Sequence, residues 1–329
     1  MKKIFLLLLS LFLLAGCKDV KLTNGKNALV TFKEGGISSD ELYQELKETY
    51  GAEKLMNLID MHLLEKLYET DNDEKAYVNQ TVKTTKKTAK DMNADFDLYL
   101  NYYYGLANES AFRDYLSLTY KRNLWVKDYA KETVSEKQIN EYYENETYGD
   151  IEASQILITV DTKKDATDDE KKKAEQKAYD KAKEIISKLK DGEDFAKLAK
   201  EYSKDENSSS NGGSLGKVNT DSVPSEVFSA LLNLKDGSYS TSPVKSSNGY
   251  HILYRKSQDK KPELNDELTE KIKTTIGSEI AKESGFSIKA LKALREKNEM
   301  KILDTDLNKD FETLVNRQTQ SASNSSSNK

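Results

Sequence analysis

Residues 195–216 read FAKLAKEYSKDENSSSNGGSLG, a short amphipathic helix pattern followed by a loop rich in Ser, Asn and Gly. Upstream, residues 151–160 are rich in β-branched residues and Leu, which is typical of a strand. A longer helix pattern follows, with alanines and aliphatic residues on one face and Gly192 at its end. Downstream, residues 224–234 read as a short helix and residues 249–255 as a closing strand. The order is β-α-α-loop-α-β, which predicts a small α/β module.

Three pieces of this module resemble the parvulin family of peptidyl-prolyl isomerases. The first is ASQIL at residues 153–157, where parvulins usually carry ASHIL. The second is the 195–216 stretch quoted above, and the third joins SPV at 242–244 to GYHIL at 249–253. The pieces keep the family's order and spacing across residues 148–257. The resemblance therefore implies a parvulin-like (FKBP-like) α/β domain over that range.

The same resemblance implies a set of site residues. Asp205 falls at the family's acid-or-thiol position and His251 at its closing-strand histidine. Gln155 replaces the first-strand histidine of the family. We assign these three residues to catalysis. Leu215, Phe228 and Asn248 are assigned to substrate binding, with Phe228 placed to within two residues because the 217–243 stretch aligns only with a gap. The implied reaction needs neither a cofactor nor a metal.

Each of these residues also has a structural interpretation. His251 alternates in phase with Leu253, as a packed strand histidine does, and Asp205 could be an ordinary turn residue. Gln155 can donate and accept hydrogen bonds but cannot titrate. We therefore expect an isomerase of reduced activity. The alternative is a parvulin-fold holdase chaperone that has lost isomerase activity.

The two flanks of the module are helical in pattern. Residues 29–147 contain the capping boxes Ser38-x-x-Glu41 and Ser135-x-x-Gln138, and Gly51 is predicted to end the first helix. Residues 258–315 return to helical spacing, with a short strand predicted at 301–303, and residues 316–329 are predicted to be disordered. Trp125 and the tyrosines at 99 and 102–104 fit a helix core better than a client-binding surface.

Pieces of both flanks resemble the PrsA family of extracytoplasmic foldase lipoproteins, namely SDELY at 39–43, LID at 58–60 and ILDTDL at 302–307. The predicted fold class is accordingly α+β. The N- and C-terminal flanks form a helical chaperone body, with the C-terminal segment packing on the N-terminal one, and the α/β domain is inserted between them. Helical flanks of this kind could also pair two copies of the chain as a homodimer.

The N-terminus has the features of an export signal. Two lysines precede an apolar run over residues 4–14, which is too short to span a bilayer but typical of a signal-peptide core. The run ends in Leu-Ala-Gly-Cys, which resembles a lipobox. We predict a lipoprotein signal peptide over residues 1–16, a lipidated Cys17 and a tether over 17–28. The chain would then be lipid-anchored at the extracytoplasmic face of the cell membrane, with unfolded or partly folded secreted proteins as its partners.

Composition limits the other classes of function. The 329-residue chain has 51 Lys and Arg against 56 Asp and Glu, a net charge of -5 that disfavours nucleic-acid binding. One Cys allows neither an intrachain disulfide nor a Cys-based zinc site, and the presence of only two His, far apart in the sequence, disfavours a His-rich metal site. Solute-binding lipoproteins carry repeated doubly wound α/β units, whereas this chain has one short α/β module.

Overall fold

The computed structural model describes residues 20–326 of the chain. The signal peptide at 1–16 and the lipidated Cys17 were predicted for residues that lie outside the described ones. Among residues 20–326, no helix is both long enough and apolar enough to cross a membrane. The elements follow in chain order: β1 (Ala28–Phe32), β2 (Gly35–Ser38), α1 (Ser39–Leu67), α2 (Asn72–Asp91), α3 (Phe96–Tyr104), α4 (Glu109–Glu132), α5 (Glu136–Glu146), β3 (Ile151–Ile158), α6 (Asp168–Lys190), α7 (Phe195–Tyr202), β4 (Ser214–Val218), α8 (Ser225–Leu232), β5 (Ser238–Tyr239), β6 (Val244–Ser246), β7 (Gly249–Gln258), α9 (Asp266–Ile280), α10 (Phe286–Lys297) and α11 (Thr305–Ser326).

The chain divides into two compact units, as the predicted insertion requires. A helical unit combines the residues up to Val134 with those from Lys273 on, and a sheet unit spans Ser135–Ile272. The module itself was predicted over residues 148–257, and those bounds stay a prediction; the sheet unit also contains α5 and the residues up to Ile272. Helix α5 belongs to the sheet unit because Tyr143 Oη donates to the carbonyl of Pro262 at 2.9 Å.

In the helical unit, the capping box at Ser38 is confirmed. Ser38 Oγ accepts from the backbone N–H of Glu41, and the Glu41 carboxylate accepts from the Ser38 N–H at 2.8 Å. The predicted helix end at Gly51 is wrong, because α1 continues to Leu67. A Cβ at position 51 would lie 2.6 Å from Leu307 Cδ2, so this glycine provides close packing for the C-terminal flank.

The core of the helical unit joins α1, α4 and α10. Trp125 is buried there, and its Nε1–H donates to the carbonyl of Ala290 at 2.7 Å. The prediction of a core position is confirmed for Trp125. It is wrong for Tyr102, which is 81% exposed, and for Tyr103 and Tyr104, which are also exposed.

Two predictions for the C-terminal flank need correction. Residues 301–303, predicted as a strand, have no regular structure. Residues 316–329, predicted to be disordered, are helical as far as Ser326, because α11 runs through them. Phe311 of α11 is buried, and Gln318 reaches Met56 of α1, so tertiary packing stabilises a Ser- and Asn-rich sequence as a helix.

The sheet unit is built on an antiparallel sheet of order β4-β3-β7-β5, with β6 also paired to β7. In the central pair, Ile156 lies opposite Ile252 and Leu157 lies opposite His251. Side chains alternate between the two faces of a strand. Ile156 and Ile252 therefore pack against α6 and α7 on one face, whereas His251 and Leu253 point to the other, which α8 covers. The short strands β4, β5 and β6 were not predicted.

Candidate functional site

The site begins as a diagonal pair on the face of the sheet that α8 covers. Gln155 of β3 lies opposite Leu253, two residues along β7 from His251. Diagonal neighbours on one face lie within reach of long side chains. Gln155 Oε1 and His251 Nδ1 are accordingly 2.8 Å apart.

The loop after α7 brings Asp205 to this pair. Ser203 ends the helix, and its Oγ accepts from the N–H of Leu157 at 3.1 Å, while the Lys204 N–H donates to the Leu157 carbonyl at 2.7 Å. These bonds attach the loop to β3 beside Gln155. As a result, Gln155 Nε2 donates to Asp205 Oδ2 at 2.7 Å.

Further donors fix the Asp205 carboxylate. The N–H of Asn207 donates to Oδ1 at 3.2 Å, and the hydroxyl of Ser208 donates to Oδ2. Ser208 is itself buried. The carboxylate thus accepts three hydrogen bonds, which favour its charged form.

From the Asn248 N–H to Asp205, each group in the network donates a hydrogen bond to the next one. Because Gln155 donates to Asp205 through Nε2, its Oε1 faces His251 and can only accept, so Nδ1 of His251 carries the proton. Nε2 of His251 then accepts from the Ser246 hydroxyl at 2.7 Å. Ser246 Oγ in turn accepts from the backbone N–H of Asn248 at 3.0 Å. The site therefore holds a neutral histidine between a serine and an amide.

Burial and charge support these protonation states. His251 is 2% exposed, and burial lowers its pKa, with Asp205 and Glu226 opposing that shift. Burial would raise the pKa of Asp205, but the hydrogen bonds from Ser208 and Gln155 hold it below its ordinary value. Near pH 7 the site holds a neutral imidazole and an ionised carboxylate.

Two of the three predicted substrate-binding residues lie in an apolar cluster, and the third has an exposed side chain. Leu215 of β4 and Phe228 of α8 join one apolar cluster, which also contains Leu253 of β7. Leu215 is half-buried, whereas Phe228 is 4% exposed and its ring lies 5.9 Å from that of Tyr148. The Asn248 side chain is exposed, so this residue reaches the network only through its backbone.

Two further residues of the network were missed from the sequence. Ser208 and Ser246 lie in Ser-rich stretches that give no local signal of their partners. Gly213, which lies in the Gly-rich part of the 195–216 stretch, supports the site directly. Its φ is +80°, its carbonyl accepts from the Gln155 N–H at 2.8 Å, and a Cβ there would lie 2.3 Å from the Gln155 carbonyl oxygen.

Within the residues that the structure describes, no group of three or more His, Cys, Asp or Glu side chains is arranged to hold a metal ion. The side chains of the site offer several chemical groups of their own. These are a charged carboxylate, a neutral ring of fixed tautomer, two hydroxyls and an adjoining apolar cluster.

Comparison with known proteins identifies the family of the chain. The PPIC-type PPIase (rotamase) domain model matches residues 156–257. Foldase protein PrsA 2 of Bacillus cereus is 33% identical over 320 residues, covering 96% of this chain and 98% of the relative. Foldase protein PrsA of Geobacillus kaustophilus is 33% identical over 292 residues, covering 85% and 91%. A crystal structure of peptidylprolyl isomerase (PrsA) from Bacillus cereus is 28% identical, with a TM-score of 0.46 over 88% of this chain and 98% of the other.

Proposed function

The chain belongs to the PrsA family of foldases, and on that premise we propose that its sheet unit catalyses cis/trans isomerisation of Xaa–Pro bonds in secreted proteins. The observation that supports the proposal is the hydrogen-bonded series from Asp205 through Gln155 and His251 to Ser246 beside an apolar cluster. The unfolded or partly folded secreted protein is the substrate.

The reaction requires binding of a twisted amide. Rotation about a peptide bond faces a barrier of about 18–20 kcal/mol because resonance is lost in the transition state. A site lowers that barrier if it binds the twisted amide better than either planar isomer. The apolar cluster around Leu215 supplies a surface for the prolyl ring, and the fixed polar groups supply a preorganised field for the decoupled carbonyl and nitrogen. No bond to the protein forms or breaks.

Gln155 is the departure from the parvulin pattern, and it sets the level of activity that we propose. Its amide continues the hydrogen-bonded series in both directions, so the network stays complete without the first-strand histidine. It supplies no titratable group. We infer isomerase activity that is reduced but present.

A protease-coupled assay on an Xaa–Pro peptide tests the proposal. The expected result is a rate above the uncatalysed one, which Asp205→Ala lowers and Asp165→Ala leaves unchanged. Asp165 is the matched control because it is an exposed carboxylate of the same unit. A wild-type rate equal to the uncatalysed rate would refute the proposed isomerase activity.

The alternative is a holdase chaperone that keeps the parvulin fold without isomerase activity. The observation that favours it is again Gln155, since the family's histidine is absent. In that case the chain would suppress aggregation of a proline-free client, and Asp205→Ala would not affect the suppression. Suppression together with an uncatalysed isomerisation rate identifies the holdase.

For the location we propose lipid attachment at Cys17 and an extracytoplasmic, membrane-anchored protein. The support is the apolar run that ends in Leu-Ala-Gly-Cys. A diacylglycerol group carries two chains, which suffice for stable anchoring where one does not. Labelling cells with a palmitate analogue should mark the wild-type protein and not Cys17→Ala. Equal labelling of both would exclude this anchor. A homodimer stays a prediction, which sedimentation velocity would test.

A further inference from the structure

The helical unit contains a cleft of about 860 Å³ whose walls come from α1, α4, α10, α11 and the end of α3. Residues spaced by three or four along α1 line one side, and two α4 residues that are two turns apart, Tyr115 and Arg122, line another. The same face of α1 carries Asp60 one turn beyond Asn57. The cleft therefore lies over a buried carboxylate.

That carboxylate is shared by two arginines. Asp60 is fully buried and accepts from Arg122 Nε at 2.9 Å and from Arg295 Nε at 2.8 Å. Both arginines line the cleft, and the Arg122 side chain is 22% exposed. One carboxylate neutralises one guanidinium, so the cluster keeps one positive charge at the cleft wall.

The other charged residues that line the cleft leave this one surplus positive charge unchanged. Lys54 and Glu53 also line the cleft and cancel each other. The cleft is thus a positive site in a chain whose net charge is -5. Screening by salt is weaker for partly buried charges than for exposed ones. A carboxylate would be attracted to this wall.

Aromatic rings and amides complete the lining. Tyr104 and Tyr115 lie with ring centroids 6.1 Å apart and are 41% and 43% exposed, so both offer apolar surface to a ligand. Asn57, Asn101 and Gln318 add side-chain amides. Amides of this kind can donate to and accept from the backbone of an extended peptide.

We propose that this cleft binds an extended segment of an unfolded polypeptide in which Asp or Glu adjoins an aromatic or aliphatic side chain. The proposal rests on the proposed function, since a foldase must hold such segments, and it adds the class of segment that is preferred. The carboxylate of the segment binds near Arg122, and the neighbouring apolar side chain packs on Tyr104 and Tyr115.

Fluorescence anisotropy with two labelled, proline-free peptides tests the preference. One peptide carries Glu-Phe-Asp-Leu at its centre, and the other carries Gln-Phe-Asn-Leu. The full chain should bind the acidic peptide about tenfold more tightly at low salt, and the difference should shrink as salt is added. Because neither peptide contains proline, failure here leaves the isomerase assay unaffected.

Substitutions in the cleft test whether the preference for the acidic peptide arises at this site. Arg122→Gln and Lys54→Gln should each reduce the acidic preference about threefold or more, and Tyr115→Ala should weaken both peptides. Removal of Lys54 leaves Glu53 uncompensated and so cancels the surplus positive charge of the wall. Because Lys54 is exposed, Lys54→Gln provides the test even if Arg122→Gln does not fold. Lys256→Gln, an exposed lysine of the sheet unit, is the matched control and should change nothing. Equal affinity for the two peptides, a preference kept by Lys54→Gln and Arg122→Gln, or displacement of the acidic peptide by inorganic phosphate alone would overturn the proposal.

Discussion

Gln155 Oε1 lies 2.8 Å from His251 Nδ1, and this contact determines the tautomer of the histidine. An amide oxygen only accepts, so the ring must donate through Nδ1 and accept through Nε2. A histidine at position 155 could reverse that direction by changing its own tautomer, whereas the glutamine cannot while it also donates to Asp205. The substitution that removes a titratable group thus also gives the network a fixed direction.

Replacing Gln155 by Glu should disrupt the site. A carboxylate at position 155 would face the Asp205 carboxylate at hydrogen-bond distance, and two such groups cannot both stay ionised without a large cost. Loss of a hydrogen bond to a charged group costs about 1.5–3 kcal/mol, so isomerase activity should fall about 10- to 100-fold. Gln155→His, which keeps an N–H donor, is the control and should retain or raise the rate. Equal rates for Gln155→Glu and wild type would contradict the role given to this amide.

Ser246→Ala should act through His251. Removing the hydroxyl leaves a buried Nε2 without its donor and frees the Asn248 N–H. An unsatisfied buried acceptor costs about 1–3 kcal/mol. We expect a lower kcat/KM in the coupled assay and a shifted His251 resonance in the NMR spectrum. Ser247→Ala, an exposed neighbour, should show neither change.

The stability of the sheet unit should depend on pH through His251 and Asp205. Burial lowers the pKa of His251, so the unfolded chain takes up this proton at a higher pH than the folded chain. The contribution of His251 to the free energy of unfolding is fully present above its unfolded-state pKa of about 6.5. This contribution is lost as the pH falls from there through the folded-state pKa. The pKa of Asp205 is also lowered, which adds a second loss below about pH 4. As the pH is lowered from 8 to 3, the urea midpoint of unfolding should decrease within each of these two pH ranges. His251→Gln should abolish the decrease in the first range.

Gly213→Ala should damage both the fold and the site. A residue other than glycine at a φ of +80° costs on the order of 1–3 kcal/mol, and the new Cβ would also meet the Gln155 carbonyl oxygen at 2.3 Å. Gly216→Ala is the matched control, because its φ is +68° but a Cβ there meets nothing within 4 Å. We expect a larger loss in the urea midpoint for Gly213→Ala, together with a loss of activity that Gly216→Ala does not share.

Asp60→Asn should destabilise the helical unit. Without the carboxylate, two arginine side chains would face each other in a buried setting, and breaking a buried ion pair costs about 3–5 kcal/mol. Trp125, the single tryptophan of the chain, lies in this unit, so its fluorescence reports the unfolding of the helical unit. Glu296→Gln, which removes one partner of an exposed pair with Lys292, should change stability by less than about 0.5 kcal/mol.

The sequence predicted the parts of this protein that depend on local pattern. The capping boxes at Ser38 and Ser135 need only residues three apart, and both form. The motif positions brought Asp205, Gln155 and His251 together, as the hydrogen bonds show. Gly51 failed as a helix end because the reason for that glycine, the Leu307 side chain, lies more than 250 residues away in the sequence.

The remaining errors have the same physical origin. A Ser- and Asn-rich tail has a low helix propensity by itself. Burial of Phe311 adds the tertiary packing that stabilises the helix. Ser208 and Ser246 are ordinary in the sequence and become specific only when the loop and the strand place them beside Asp205 and His251. Neither case can be read from a single stretch of sequence.

The packing of α11 on α1 has a consequence for the order in which the chain folds. Lys47 of α1 pairs with Asp304 at 2.7 Å, and α11, which carries the buried Phe311, packs on α1. The N-terminal part of a chain becomes available for folding before the C-terminal part. The sheet unit, contiguous over Ser135–Ile272, can therefore complete its core while the helical unit still lacks its last helices. The helical unit must wait for the C-terminus, so a truncated chain would present a finished sheet domain on an unfinished helical one.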